Sequence, residues 1–187
     1  MQHRCIFAGF GGQGILSMGQ VLVYAGMEEG RQVTFYPLYG VAVRGGLANC
    51  TVVISDEEIN SPIVCHPTVM VTMDDASFDS FQPLVAPGGV MFVNSSLVSR
   101  KVARTDIRAV YVNATCMALE KGDGRVANMV MLGAVLKISR MVSLEALEKS
   151  MKKAFSVKLH PLIPWNMEAI KLGYEDGGQD RGVNHAT

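Results

Sequence analysis

Neither sign of charge is in excess in this chain: 17 Lys and Arg balance 17 Asp and Glu over 187 residues. Without a basic surplus there is no electrostatic footprint for nucleic acid, and without an acidic run there is no solvated tail holding the chain open. Also missing is any C-x-x-C pair. Cys5, Cys50, Cys65 and Cys116 stand far apart, so neither an iron–sulfur cluster nor zinc finds its customary ligand spacing. Most of them read as small core residues. The opening MQHRC runs straight into an apolar stretch with no cleavage-site pattern, so no signal peptide is expected. The uncharged run from Cys5 to Met27 is long enough to span a membrane, but its clustered glycines, Gln13, Ser17 and Gln20 make it a poor span. A soluble, cytoplasmic protein without a membrane span is the expectation.

What is present is apolar and strongly punctuated. With 49% hydrophobic residues the chain can fill one sizeable core, and a single domain is expected over residues 1–173. From Tyr174 the composition turns to Gly, Asp, Gln and Asn, so 174–187 reads as a mobile tail. Strand-like runs cover Cys5–Phe10, Val33–Tyr36, Asn49–Ile54, Thr68–Met73, Val90–Val93 and Ala109–Val112. Several are continuous rather than alternating, as strands buried on both faces must be. Helical patterns cover Gln13–Glu29, 76–84, Ala114–Glu120, Val126–Ser139, Leu144–Ala154 and Asn166–Leu172. Ser143 is a candidate N-cap, Pro87-Gly88-Gly89 a turn, and Gly173 a candidate helix end. The alternation predicts an α/β fold: a three-layer α/β/α sandwich on a mainly parallel sheet, opening with a Rossmann-like βαβ unit.

The densest motif is FAGFGGQGI. Gly9, Gly11 and Gly14 satisfy G-x-G-x-x-G between a strand and a helix, where backbone N–H groups and the helix dipole can hold a phosphate. Gly12 opens the turn further, and Gln13 lies within it. A dinucleotide reader also needs an acid at the end of the second strand, about 20 residues on, to take the ribose hydroxyls. Phe35-Tyr36-Pro37-Leu38 supplies none. Two readings stand: an anion or interface site, or glycines that only let the following helix, with its Gly19 and Gly26, pack tightly on the sheet.

A second constellation follows in PLYGVAVRGGLANC. Tyr39, Arg44, Gly45 and Gly46 form a loop between strands that could aim a guanidinium at a carboxylate or phosphate. Alternatively Arg44 is solvated, or pairs with Asp56, Glu57 or Glu58. Asn128, in an apolar helical run, either satisfies neighbouring backbone or faces a partner. His66 and His160, each followed by proline and isolated from carboxylates in sequence, read as loop residues. Most of the methionines, including Met70, Met73, Met91, Met129 and Met131, read as core filler.

GFGGQGI, the YG…RGG loop, VVISDEEINSP and RVANMVMLGAVL, in that order, resemble the gamma subunit of 2-oxoacid:ferredoxin (acceptor) oxidoreductases, from about residue 4 to about residue 172. ATCMALEKGDGRVANMVMLGA looks closest to the 2-oxoglutarate form. One departure is visible: the family loop commonly reads YGPE-x-RGG, whereas Val41-Ala42 stand here in place of Pro-Glu. The resemblance implies a complex that decarboxylates a 2-oxoacid on thiamine diphosphate and magnesium, passes electrons through iron–sulfur clusters to ferredoxin, and releases an acyl-CoA. This chain would join alpha, beta and delta-type subunits. It would carry no cofactor by itself, and coenzyme A would sit on other subunits or at an interface. Gly122-Asp123-Gly124 suggests the start of a thiamine-diphosphate signature, but residues 150–158, SMKKAFSVK, lack the Asn that would complete it. The alternative is an autonomous Rossmann-like nucleotide-binding protein.

Overall fold

The computed structural model describes residues 1–39 and 46–181. Its elements run β1 (Gln2–Phe10), α1 (Ile15–Glu28), β2 (Gln32–Tyr39), β3 (Leu47–Ser55), β4 (Val69–Thr72), α2 (Asp75–Phe81), β5 (Val90–Asn94) and β6 (Arg108–Val112). Then follow α3 (Ala114–Glu120), α4 (Ala127–Ser139), α5 (Leu144–Ala154), α6 (Ile163–Asp176) and β7 (Gln179–Arg181). One sheet takes the order β2-β3-β1-β4-β5-β6-β7. The inner strands β1, β4, β5 and β6 are parallel, as their two-sided apolar runs require.

The first crossover differs from a simple βαβ unit. β2 and β3 form a hairpin in which Gln32 faces Ser55 and Tyr39 faces Ala48, and β3 then pairs antiparallel with β1 along its length. β2 therefore points the same way as β1 but lies one strand away, with β3 between them. The reason is visible in β3, whose Cys50, Val52 and Ile54 feed one core while Val53 feeds the other. A strand with two apolar faces is stable only inside the sheet.

Residues Tyr174–Arg181 do not leave the fold where composition suggested. α6 continues to Asp176 and closes at Gly177 in the left-handed region, φ 66°, and Gln179–Arg181 pairs antiparallel with β6. Gly173, expected to end this helix, lies inside it and packs against α4. Ser143 caps α5 through a bond from the Ala146 N–H to its hydroxyl, 3.1 Å.

The layers on the two faces are unequal. α1 and α3 to α6 build the larger core with Phe7, Val52, Val71, Phe92 and Val110. The opposite face carries α2 and connecting loops over Ile6, Ala8, Met70, Met91 and Val93. Met18, Met70, Met73, Met91, Met129 and Met131 are fully or almost fully buried, so these methionines fill core space.

Candidate functional site at the glycine turn

β1 ends at Phe10, and the chain turns within four residues into α1. The Gln13 N–H bonds the Phe10 carbonyl at 3.2 Å, and the Gly11 N–H bonds the Gly46 carbonyl at 3.0 Å. The Gln13 side chain folds back over the turn: its Oε1 accepts from the Phe10 N–H at 2.9 Å and its Nε2 donates to the Met73 carbonyl at 3.2 Å. Gln13 thus ties the turn to the end of β4. The sequence marked it only as a member of the motif.

Gly14 is the N-cap of α1 and sits in the left-handed region at φ 72°. Asn128, buried on α4, donates from Nδ2 to the Gly14 carbonyl at 3.0 Å. A Cβ at Gly14 would lie 2.4 Å from that nitrogen, so close approach and backbone angle both demand glycine here. Asn128 therefore serves as a satisfied internal brace 114 residues away in sequence. No side chain caps α1 and no acid lies in its first turn, which leaves the positive end of its dipole on the turn.

Two hollows flank the turn. One, about 450 Å³, is bordered by Gly9, Phe10, Leu47, Asp74, Asp75 and Leu97. The other, about 210 Å³, includes Gly14, Ser17, Arg125, Asn128 and Trp165 in its wall. The first has carboxylates where a phosphate site needs donors, and the nearby Gly11 and Gln13 N–H groups are already bonded within the protein. The second has a guanidinium, but Arg125 pairs with Asp123 through Nε and Nη2 at 2.7–3.0 Å.

Asp123 accepts those bonds and one from the Arg125 backbone N–H at 2.9 Å. The Arg125 side chain first, then that backbone bond, hold its carboxyl below the usual range. The carboxylate is committed to the turn that begins α4. Among the described residues no three His, Cys, Asp or Glu lie together as a possible metal site. Burial pushes the Cys50 thiol up to about 12 and raises Cys5 further, so both are inert apolar fillers. The His160 ring meets the Lys152 and Phe155 carbonyls at 3.1 Å, which anchors the turn of 157–162.

Other polar residues at this end of the sheet were not anticipated. Asn94 donates to Thr115 Oγ1 at 2.9 Å, and the Ser96 hydroxyl donates to Asn113 Oδ1 at 2.6 Å while accepting the Thr115 and Cys116 N–H groups at 3.1 Å. The signal was there: VMFVN and RAVYVN are apolar strands that each reach an Asn at their C-terminal limit. The fold gathers Gly9, Gly11, Gly12, Gln13, Gly14, Gly46 and Asn128 at one place. Tyr39 ends β2 at the same end of the sheet, while Arg44 and Gly45 lie outside the described residues.

The model of the pyruvate ferredoxin/flavodoxin oxidoreductase family matches residues 4–176, almost the whole chain. The chain belongs to that family. Among relatives of this oxidoreductase-family chain, the 2-oxoglutarate synthase subunit KorC of Methanocaldococcus jannaschii is 34% identical over 182 residues, covering 94% of each chain. Ketoisovalerate oxidoreductase subunit VorA of Methanothermobacter thermautotrophicus is 38% identical over 173 residues, 92% of this chain and 36% of that protein. The chain therefore spans about a third of the VorA relatives' length. The gamma subunit of a keto/oxoacid ferredoxin oxidoreductase from Geobacter sulfurreducens has the same fold, with TM-score 0.82, 26% identity, and coverage of 95% of this chain and 97% of that one. No described helix is long and apolar enough to cross a membrane.

Proposed function

We propose that this chain is the gamma-type subunit of a thiamine-diphosphate-dependent 2-oxoacid:ferredoxin or acceptor oxidoreductase, which converts a 2-oxoacid and coenzyme A into an acyl-CoA and carbon dioxide. The observation that carries the reading is the 34% identity to a 2-oxoglutarate synthase subunit over 94% of both chains. 2-Oxoglutarate is the proposed substrate on that ground. Ketoisovalerate is the second reading, because the VorA relative is 38% identical over the shared part.

In this reading thiamine diphosphate, when bound in the complex, supplies the carbanion stabilisation for decarboxylation. Magnesium, the iron–sulfur clusters and coenzyme A belong to alpha, beta and delta-type subunits or to their interfaces, and ferredoxin accepts the electrons. This chain contributes a braced sheet end. Gln13 and Asn128 hold the glycine turn rigid, so that Gly9–Gly14 and Gly46 present one defined surface to the partners.

The test is anaerobic recovery of the tagged chain from native extract, followed by viologen reduction with a panel of 2-oxoacids and coenzyme A. Co-elution of larger oxidoreductase subunits with 2-oxoglutarate-dependent activity supports the proposal. Faster turnover of branched-chain 2-oxoacids moves the substrate to the second reading. A chain that elutes alone and gives saturable nucleotide binding overturns the proposal in favour of a free nucleotide-binding protein.

A further inference from the structure

β6 has the make-up of an inner strand but stands next to the edge of the sheet. Val110 and Val112 feed the helical-side core, Tyr111 packs against the other, and pairing with β5 satisfies one side of the β6 backbone. The other side would be a bare row of N–H and C=O groups, which is a template for unwanted pairing. The chain returns after α6 to cover it: β7 lies antiparallel, with Tyr111 opposite Gln179 and Ala109 opposite Arg181. β7 closes the sheet on this side among the described residues. Its sequence, Gln179-Asp180-Arg181, brings no apolar side chain, and Gln179 is exposed.

Two consecutive glycines join α6 to β7, and both are left-handed, Gly177 at φ 66° and Gly178 at φ 76°. A backbone without Cβ reorients there at little steric cost. On one side of this joint is a rigid body, since α6 is fixed against α4 by the close approach at Gly133 and Gly173. On the other side is a strand of three residues bonded along one edge. Gly178 also sets the closed position: a Cβ there would lie 2.7 Å from Val110, 2.9 Å from Val112 and 3.0 Å from the Tyr111 carbonyl oxygen. Its N–H bonds the Asp176 carboxylate at 3.0 Å. A segment with few buried apolar groups, attached through such a joint, opens at a lower free energy than the core that carries it.

We propose that residues 178–181 form a strap, which opens and closes on the β6 edge about Gly177-Gly178 while the rest of the fold stays intact. The inference goes beyond the subunit reading and does not depend on it. Closed, the strap completes the sheet and sets Gln179, with Asp176, on one side of a hollow of about 440 Å³, across from Ser99, Arg100, Lys101 and Asn113. Open, it takes Gln179 out of that wall and bares the outer backbone groups of β6. The strap is thus a conformational device that conceals a strand edge and one side of a polar hollow together.

The experiment is amide hydrogen exchange of the full chain at a series of low urea concentrations, read residue by residue. Amides of 178–181 are expected to exchange roughly a hundred-fold or more faster than those of α4, at a rate that urea leaves unchanged because opening the strap exposes little surface. Gly178→Ala, which meets Val110 and Val112 at a positive φ, should speed exchange in 178–181 by roughly ten-fold more and leave α4 protected. Gly30→Ala is the control, another left-handed glycine but with open space around it, and should leave 178–181 unchanged. Exchange of 178–181 at the rate and urea dependence of α4 overturns the proposal, because β7 then opens only with the whole fold. Loss of α4 protection in step with that of 178–181 in Gly178→Ala overturns it for the same reason. Fast exchange that Gly178→Ala does not alter overturns it from the other side, since the segment is then never closed on β6.

Discussion

Asn128 shows how one side chain can hold a distant turn. Its Nδ2 donates to the Gly14 carbonyl from a buried position, so truncation removes one of the two bonds that carbonyl accepts, the other coming from the Met18 N–H at 3.1 Å, and opens a small void. Asn128→Ala is expected to cost about 1–3 kcal/mol, read as a lower urea midpoint with unchanged slope. Gly14→Ala combines the 2.4 Å clash with a positive φ and should cost more than Asn128→Ala in the same assay. His3 is a second residue with a measurable signature. Burial first, then the neighbouring Arg31, pull its pKa below the ordinary 6.5, against an opposing pull from Asp56. Below pH 6.5 the unfolded chain takes up this proton before the folded one does, so folding stability falls as pH drops from 6.5 toward the folded pKa. Urea titrations at pH 7.5 and 5.5 should show lower stability at the acid value, and His3→Gln should reduce the difference.

At the scale of elements, the crossing of α4 and α6 is the tightest contact in the helical layer. A Cβ at Gly133 would lie 2.0 Å from the Ile170 carbonyl oxygen, and one at Gly173 only 1.8 Å from that of Val130. Backbone cannot yield as a side-chain end can, so alanine at either position must push the helices apart. Gly133→Ala and Gly173→Ala are each expected to destabilise by about 1–3 kcal/mol or more, lowering the melting temperature by several degrees. The first helix works on the same plan against side chains: Gly19 admits Cys50 and Phe35, and Gly26 admits Val33. The packing role for these two glycines was legible in sequence. That of Gly173 was not, because a glycine near a polar tail looks the same whether it ends a helix or lets another helix in.

At the scale of the molecule, among the described residues α1 and α3 to α6 crowd one face of the sheet, while the other carries α2 and loops. A chain built in this way concentrates its larger core on the helical side. The purified chain alone is expected to show no 2-oxoacid-dependent dye reduction. Adding it to a complex depleted of its gamma subunit should restore viologen reduction in proportion to the amount bound, and a titration of activity against added chain tests this directly.

The amino-acid sequence by itself determined the elements and most of their limits, because continuous β-branched runs, helical periodicity, Ser143 as a cap and Gly88 in a turn are local facts of backbone preference. It also placed the glycine turn between a strand and a helix. Tertiary structure decided the rest. It alone slotted β3 between β1 and β2, since its second partner, β1, lies before α1 in the chain and is chosen by burial of both faces of β3. It paired Gln179–Arg181 with β6 despite their polar composition, since an edge strand needs hydrogen bonds more than apolar side chains. And it turned Gln13 and Asn128 inward as braces, because the carbonyls they satisfy, those of Met73 and Gly14, become neighbours only once the helices have closed on the sheet.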